Sequence, residues 1–129
     1  MAAQPRILVV EDEYLVAMMV ENDLDEAGFN IVGIANSADR AVAMALTEEP
    51  DFIIMDIRLI GERDGIEAAL EIFAKTAIRC LFATAHGDVQ SKTRAAAASP
   101  LGWLQKPYGR AALVAAARQA VEQLKAPRA

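Results

Sequence analysis

Apolar residues fall into five short continuous runs, separated by longer stretches in which apolar residues recur every three or four positions. A short apolar run bounded by turn residues is typical of a strand buried on both faces, as in parallel sheets covered by helices. The five predicted strands are Arg6–Val10, Asn30–Ala35, Phe52–Asp56, Cys80–Ala83 (closed by Thr84) and Leu101–Gln105.

The stretches between these runs have helical spacing and helix-terminal residues. The first helix starts after Glu13, and Gly28 ends it in the usual manner. The other predicted helices run from a cap at Asn36–Ser37 to about Thr47, from near Gly65 onward, from a cap at Asp88 to Ala98, and from about Arg110 to Lys125. The apolar faces contain Val16, Met19, Val20, Leu24 and Ala27 in the first helix, Ile66, Ala69, Leu70 and Phe73 in the third, and Val114, Ala117, Val121 and Leu124 in the last.

Strands that alternate with helices predict a doubly wound α/β fold, in which five helices cover both faces of one parallel sheet. Right-handed crossovers leave few strand orders, and 2-1-3-4-5 is the simplest for a chain of this length. In that order the first and third strands are neighbours at the switch point, where folds of this class bind ligands beyond the carboxyl ends of the strands.

Length and composition narrow the class of protein. The 129 residues fit one domain, with a core from about residue 6 to residue 124. The net charge is −5, and Lys and Arg occur singly, which argues against nucleic acid or an anionic membrane as the main partner. One cysteine, Cys80, excludes an internal disulfide, and no segment resembles a signal peptide or a membrane span. We therefore expect a small, acidic, cytoplasmic domain.

Three carboxylates follow the two strands that are predicted to be neighbours. Glu11 and Asp12 come directly after the first strand, and Asp56 ends the third. Carboxylates crowded at one edge repel one another or recruit a cation, and hard oxygen ligands suit Mg²⁺. Taken alone, Asp56 is more simply explained as a turn or helix-capping residue. Glu13 is better explained as a surface residue at a helix start than as a metal ligand.

The fourth and fifth strands bring a hydroxyl and an ammonium group to the same edge, through Thr84 and Lys106. Carboxylates, a divalent ion, a hydroxyl and a lysine together are typical of phosphoryl transfer, which depends on positioning and charge neutralisation. A carboxylate can itself be the nucleophile and form an aspartyl phosphate, and Asp56 is the central candidate. The agreement of all four strand ends makes the capping interpretation of Asp56 a minor one.

The sequence resembles the receiver domain of two-component response regulators, from about Arg6 to Leu124. The resemblance is carried by the acidic pair after Ile-Leu-Val-Val, by Met-Asp-Ile at the third strand, by Phe-Ala-Thr at the fourth and by Lys-Pro after the fifth. Each motif is weak alone, and the ordered set is specific. It implies a flavodoxin-like fold and a phosphoryl group received from a sensor histidine kinase or a phosphotransfer protein.

The resemblance also implies roles for individual residues. Asp56 would be the phosphoacceptor, and Mg²⁺ would bind Asp56, Asp12, the backbone carbonyl of Arg58 and, mainly through water, Glu11. Lys106 would bind the phosphoryl oxygens, and Thr84 would turn to hydrogen-bond them. The Lys106–Pro107 peptide is expected to be cis.

The chain departs from the family pattern at several positions. Trp103 stands three residues before Lys106, where receivers commonly have a switching Tyr or Phe; a switch role and a half-buried residue at a partner surface are equally good interpretations. His86 and Arg58 lie two residues after Thr84 and Asp56, where the family places side chains that tune dephosphorylation. Solvated loop residues are the plainer explanation for both.

We expect a stand-alone receiver that is not itself an enzyme, because nothing after Leu124 is long enough for an output domain. It would signal through a downstream protein or act as a phosphate sink or relay. Motion of Thr84 would reach the face made by the fourth helix, the fifth strand and the fifth helix, where Trp103 and Tyr108 suggest a surface for a homodimer or a partner.

Three rival functions are less well supported. A haloacid dehalogenase-type phosphatase requires a second Asp two residues after its nucleophile, and Arg58 occupies that position. A receiver-like binding module without phosphoryl transfer would not need the intact set of acids, Thr84 and Lys106. A nucleotide- or flavin-binding fold lacks support, because no glycine-rich phosphate loop follows the first strand.

Overall fold

The computed structural model of the protein describes residues 4–85 and 89–126. Five strands form one parallel sheet in the order β2-β1-β3-β4-β5, which confirms the predicted fold. The strands are β1 (Arg6–Val10), β2 (Asn30–Ala35), β3 (Phe52–Asp56), β4 (Cys80–Thr84) and β5 (Gly102–Gln105).

Four α-helices connect successive strands and a fifth follows β5, so that the described residues contain the five α-helices predicted. They are α1 (Tyr14–Glu26), α2 (Ala38–Glu48), α3 (Gly65–Thr76), α4 (Val89–Ala95) and α5 (Arg110–Lys125). A one-turn 3₁₀ helix, Ala96–Ala98, follows α4. The fourth α-helix is therefore shorter than predicted, and its predicted cap, Asp88, lies outside the described residues.

Alternate side chains of the central strands enter two separate cores, because successive residues of a strand point to opposite faces of the sheet. Leu8, Ile53 and Phe82 pack against α2, α3 and α4 on one face, together with the buried thiol of Cys80. Ile7, Ile54 and Leu81 pack against α1 and α5 on the other. Burial on both faces explains why these strands are continuous apolar runs.

Two helices, α2 and α3, start at a side-chain cap, whereas three helix ends lack the glycine that usually stands there. Ser37 caps α2, as predicted, by accepting a hydrogen bond from the Arg40 amide at 3.2 Å. Asp64 caps α3 within a complete capping box. Left-handed backbone, which glycine favours, occurs instead at Glu49, Ala77 and Ser99, where the sequence offers no glycine.

The buried faces of two helices differ from the prediction. In α5 the buried residues are Leu113, Ala117 and Ala120, whereas Leu124, predicted as buried, is exposed. In α1, Met19 follows the helical spacing of the core residues but is 65% exposed. In α5 alanines lie on several sides, so that spacing alone does not identify the packed face. No helix within the described ranges is long and apolar enough to cross a bilayer.

Candidate functional site

The carboxyl ends of β1 and β3 bring three acidic side chains together, as the sequence predicts. Oxygens of Glu11, Asp12 and Asp56 all lie within 4.8 Å of one another. Glu11 and Asp56 are each only 4% exposed, and Asp12 is half-buried. Pairing of β1 with β3 produces this cluster, since Val10 lies opposite Met55, one residue before each acidic position.

Burial makes the negative charge of Glu11 costly. It raises the pKa of Glu11 to about 7, and the charge of Asp56 adds to the effect, although a hydrogen bond from the Glu13 amide to Glu11 Oε2 at 3.1 Å opposes it. The fold thus holds the buried carboxylates of Glu11 and Asp56 and the half-buried carboxylate of Asp12 close together, although their negative charges repel one another. A cation placed among them would relieve that repulsion.

Lys106 supplies part of this compensation. Its Nζ lies 3.1 Å from Asp56 Oδ2 and 3.5 Å from Glu11 Oε1. Partial burial on its own would lower the pKa of Lys106, but the hydrogen bond and charge of Asp56, together with the charge of Glu11, raise it instead. The lysine is therefore a fixed positive charge directly beside the Asp56 carboxylate.

Thr84 ends β4 at the same edge and is buried. Its hydroxyl donates to the carbonyl oxygen of Ala85 at 3.3 Å, and its own carbonyl accepts from the Lys106 amide at 2.8 Å. The Lys106–Pro107 peptide is cis, as predicted. The residues predicted at the ends of strands one, three, four and five therefore surround one edge of the sheet.

The donor set fits a hard divalent cation. Three carboxylates within reach of one point offer oxygen ligands only, and Mg²⁺ binds one or two carboxylates and retains water in its other positions. Glu13 is exposed at the start of α1 and does not belong to the cluster. Arg58 is the second residue of the loop after β3 and is exposed. The metal role of its carbonyl and the tuning role of its side chain stay predictions, and His86 lies outside the described residues.

Trp103 packs against the core on the face of the sheet that α4 covers. It stacks on Phe82 with ring centroids 4.9 Å apart and an interplanar angle of 19°. Lys92 of α4 places its Nζ 5.7 Å from the centroid of the Trp103 ring. Tyr108, in contrast, packs with the core on the opposite face of the sheet, so these two aromatic residues do not form the single surface that the sequence suggests.

Gly65, which the sequence indicates only as the start of a helix, has a second role. A side-chain Cβ at this position would lie 2.0 Å from the backbone oxygen of Asp56. Only glycine therefore lets α3 approach the end of β3 so closely. A glycine directly after an N-cap aspartate, Asp64, is the signal that could have identified this role.

An apolar groove of about 430 Å³ lies beside the acidic cluster, between α1 and the start of α5. Its lining includes Val16, Met19, Pro107 and Tyr108. Tyr14 and Leu15, at the start of α1, are 74% and 75% exposed. Large exposed apolar side chains grouped in this way are typical of interaction surfaces.

Comparisons with known proteins agree on one family. The sequence model described as the response regulator receiver domain matches residues 7–118. The chain is 37% identical over 125 residues to the transcriptional regulatory protein PdtaR of Mycobacterium tuberculosis, a match that covers 96% of this chain and 60% of PdtaR. The chain thus spans about three fifths of the length of this curated relative.

Solved structures share the fold. The signal receiver domain of a modulated diguanylate cyclase from Desulfovibrio desulfuricans is 31% identical, with a TM-score of 0.85 and coverage of 95% of this chain and 97% of that one. The receiver domain of NtrX from Brucella abortus is 28% identical, with a TM-score of 0.81 and coverage of 90% and 98%.

Proposed function

Because the chain belongs to the response regulator receiver domain family of two-component signalling, we propose that it accepts a phosphoryl group on Asp56. The donor is a phosphohistidine of a sensor kinase or phosphotransfer protein. The P–N bond of the donor breaks, a P–O bond to a carboxylate oxygen of Asp56 forms, and the histidine nitrogen keeps the bonding electrons and takes up a proton. The product is a 4-aspartylphosphate.

The position of Lys106 beside Asp56 carries this proposal. The ammonium group of Lys106 lies 3.1 Å from the Asp56 carboxylate. Once a phosphoryl group is bonded to that carboxylate, the ammonium group can pair with the negatively charged phosphoryl oxygens. The hydroxyl of Thr84, at the end of the neighbouring strand, donates a long hydrogen bond to the Ala85 carbonyl. It can give up this hydrogen bond and donate to a phosphoryl oxygen instead. These two groups would stabilise the roughly two negative charges that phosphorylation adds at pH 7.

Mg²⁺ is the proposed cofactor. Asp12 and Asp56 would hold the ion directly, Glu11 through water, and the backbone carbonyl of Arg58 would complete the protein ligands. When bound, the ion neutralises charge on the transferring group. Glu11 would keep its negative charge beside the ion, and its buried carboxylate would orient bound water.

Two surfaces are proposed for protein partners. The phosphodonor would cover the apolar groove and the exposed start of α1, since the groove is lined by Lys106, which contacts Asp56, and α1 begins two residues after Asp12. The downstream protein, or a second copy of the chain, would contact the face made by α4, β5 and α5. The single-domain organisation, the cytoplasmic location and the absence of a separate enzymatic activity stay predictions.

The test is labelling of the purified protein with acetyl phosphate and Mg²⁺. Wild type and the control Asp25→Asn, which changes an exposed acid of α1, should form a phosphoprotein that is stable in acid and lost in alkaline hydroxylamine. Asp56→Asn keeps the shape of the side chain and should not be labelled. Equal labelling of Asp56→Asn and wild type would refute the proposal. Labelling should also disappear when Mg²⁺ is removed with a chelator.

A further inference from the structure

A series of contacts connects the backbone of Asp56 to helix α4 without passing through Thr84. It begins where α3 meets the end of β3. Gly65 lies so close to the Asp56 carbonyl that no side chain fits between them, and its amide donates to the Ile57 carbonyl at 2.7 Å. The start of α3 therefore cannot move independently of the Asp56 peptide.

The next contact involves both carboxylate oxygens of Asp64. Oδ1 accepts a hydrogen bond from the Glu67 amide at 2.9 Å, while the Glu67 side chain accepts from the Asp64 amide at 3.1 Å. Oδ2 lies 2.8 Å from Nη1 of Arg94, on α4. Partial burial alone would raise the pKa of Asp64, but the hydrogen bonds from Arg94 and from the Glu67 amide hold it below its usual value. One carboxylate thus both starts α3 and contacts α4.

Apolar packing holds α4 only weakly. The helix has seven residues, of which Ser91 and Ala95 are buried, and such small side chains remove little apolar surface from water. Lys92 lies over the ring of Trp103, which in turn stacks on Phe82. Long polar side chains that reach neighbouring elements therefore contribute much of what positions this helix.

From these contacts we propose that the Arg94–Asp64 ion pair is a tether that holds α4 in its resting position and links that position to the loop after β3. The proposal rests on the proposed function of Asp56. A phosphoryl group and a cation bound at Asp56 would shift the loop, and Asp64 would carry the shift to α4. Arg94 is a positioning residue, since it acts on the site only through Asp64.

The sole tryptophan, Trp103, reports on α4 because Lys92 and Ala95 lie against it or in the same core. Acrylamide quenching of its fluorescence should be stronger in Arg94→Ala than in wild type before any phosphoryl group is bound. Arg94→Lys should restore part of the protection, and Arg40→Ala, an exposed arginine of α2, should behave as wild type. Equal quenching in Arg94→Ala and wild type would overturn the tether.

The second measurement is a titration with beryllofluoride, a phosphoryl analogue, in the presence of Mg²⁺. Because the tether stabilises the resting position, Arg94→Ala should lower the concentration at half-maximal change in Trp103 emission by about threefold. Asp64→Asn, which keeps the cap and loses the charge, should do the same, and the double variant should add nothing further. Additive effects, or weaker binding, would contradict the proposal.

These outcomes are separate from a failure of the proposed function. The quenching comparison uses the resting protein and does not depend on phosphorylation. Labelling of Asp56 with acetyl phosphate should survive in Arg94→Ala and in Asp64→Asn. If quenching is unchanged in Arg94→Ala while labelling is intact, the tether is refuted and the proposed function of Asp56 is not. If wild type is not labelled, the proposed function itself is refuted.

Discussion

The Nζ atom of Lys106 lies 3.1 Å from Oδ2 of Asp56, so that the resting protein already pairs the proposed phosphoacceptor with a positive charge. The same nitrogen is 3.5 Å from Glu11 Oε1. This lysine and a metal ion would therefore compete for the same carboxylate charge. The competition gives a direct prediction about metal binding.

Lys106→Ala should bind Mg²⁺ about three- to tenfold more tightly than wild type, because the lysine no longer neutralises the carboxylates. Labelling by acetyl phosphate should nevertheless fall, because the phosphoryl oxygens lose their cation. Calorimetric titration with Mg²⁺ measures the first effect. Lys75→Ala is the control, since Lys75 pairs with Glu71 on α3 at 2.6 Å, and weaker metal binding in Lys106→Ala would contradict the prediction.

Gly65→Ala should lower both stability and labelling. A Cβ at this position would lie 2.0 Å from the Asp56 backbone oxygen, so the end of β3 must move. Overpacking of this kind typically lowers the free energy of unfolding by about 1–3 kcal/mol. Urea denaturation and acetyl phosphate labelling are the measurements. Gly109→Ser is the control, because a Cβ there meets no atom within 4 Å, and it should retain both properties.

Substitution of Arg58 by Ala should change the lifetime of the phosphoryl group without abolishing labelling. The exposed side chain lies two residues after Asp56, where we expect it to affect the approach of the water that hydrolyses the aspartyl phosphate. Positioning of that water should alter the decay rate by about twofold or more. His86→Ala is expected to act similarly. Decay of the labelled protein after removal of donor is the measurement, and unchanged rates in both variants would rule out a tuning role.

Leu15→Glu and Met19→Glu should slow phosphoryl transfer from a protein donor about tenfold, because a charge replaces apolar surface that the donor would cover. Their labelling by acetyl phosphate, which needs no protein contact, should stay at the wild-type rate. Leu46→Glu changes a 46% exposed leucine on α2 and serves as the control. Equal slowing with both donors would indicate damage to the site instead of a docking surface.

Ala77→Gly should raise the free energy of unfolding by about 0.5–1 kcal/mol, because Ala77 has left-handed backbone that a side chain disfavours. Its φ is 64°, and the residue directly follows α3. Ala43→Gly, at an exposed position inside α2, should have the opposite effect, about 1 kcal/mol of destabilisation. Thermal or urea unfolding measures both, and destabilisation by Ala77→Gly would show that the backbone strain is negligible.

The sheet can be predicted from the sequence because each strand has a local signal, a short apolar run. The convergence of the strand ends then follows from the order of the strands. Apolar runs mark strands such as β3, and a parallel order places Asp56 beside Glu11 whatever the details of the loops. The helix faces are harder to predict. In α5 alanines occur on every side, so that a stripe of Leu113, Ala117 and Ala120 and a stripe of Val114, Ala117 and Val121 look equally good, and only the tertiary packing selects the first.

Contacts between distant residues are beyond the reach of sequence patterns. Arg94 and Asp64 are separated by a helix, a strand and a loop, and neither residue carries a local signal of the other. Trp103 is similar, since its stacking on Phe82 depends on the register of β4 with β5. The left-handed backbone at Glu49, Ala77 and Ser99 likewise has no signal in the sequence, because the usual glycine is missing.

Cys80 is 1% exposed inside the core, and burial raises the pKa of its thiol to about 12. Maleimides and other sulfhydryl reagents act on an accessible thiolate, which this residue does not supply near neutral pH. A cysteine introduced on α4 would consequently be the one group that such reagents modify in the folded protein. Spin labels or fluorophores for distance measurements can therefore be attached site-specifically to the native background, with its own sulfur left in place.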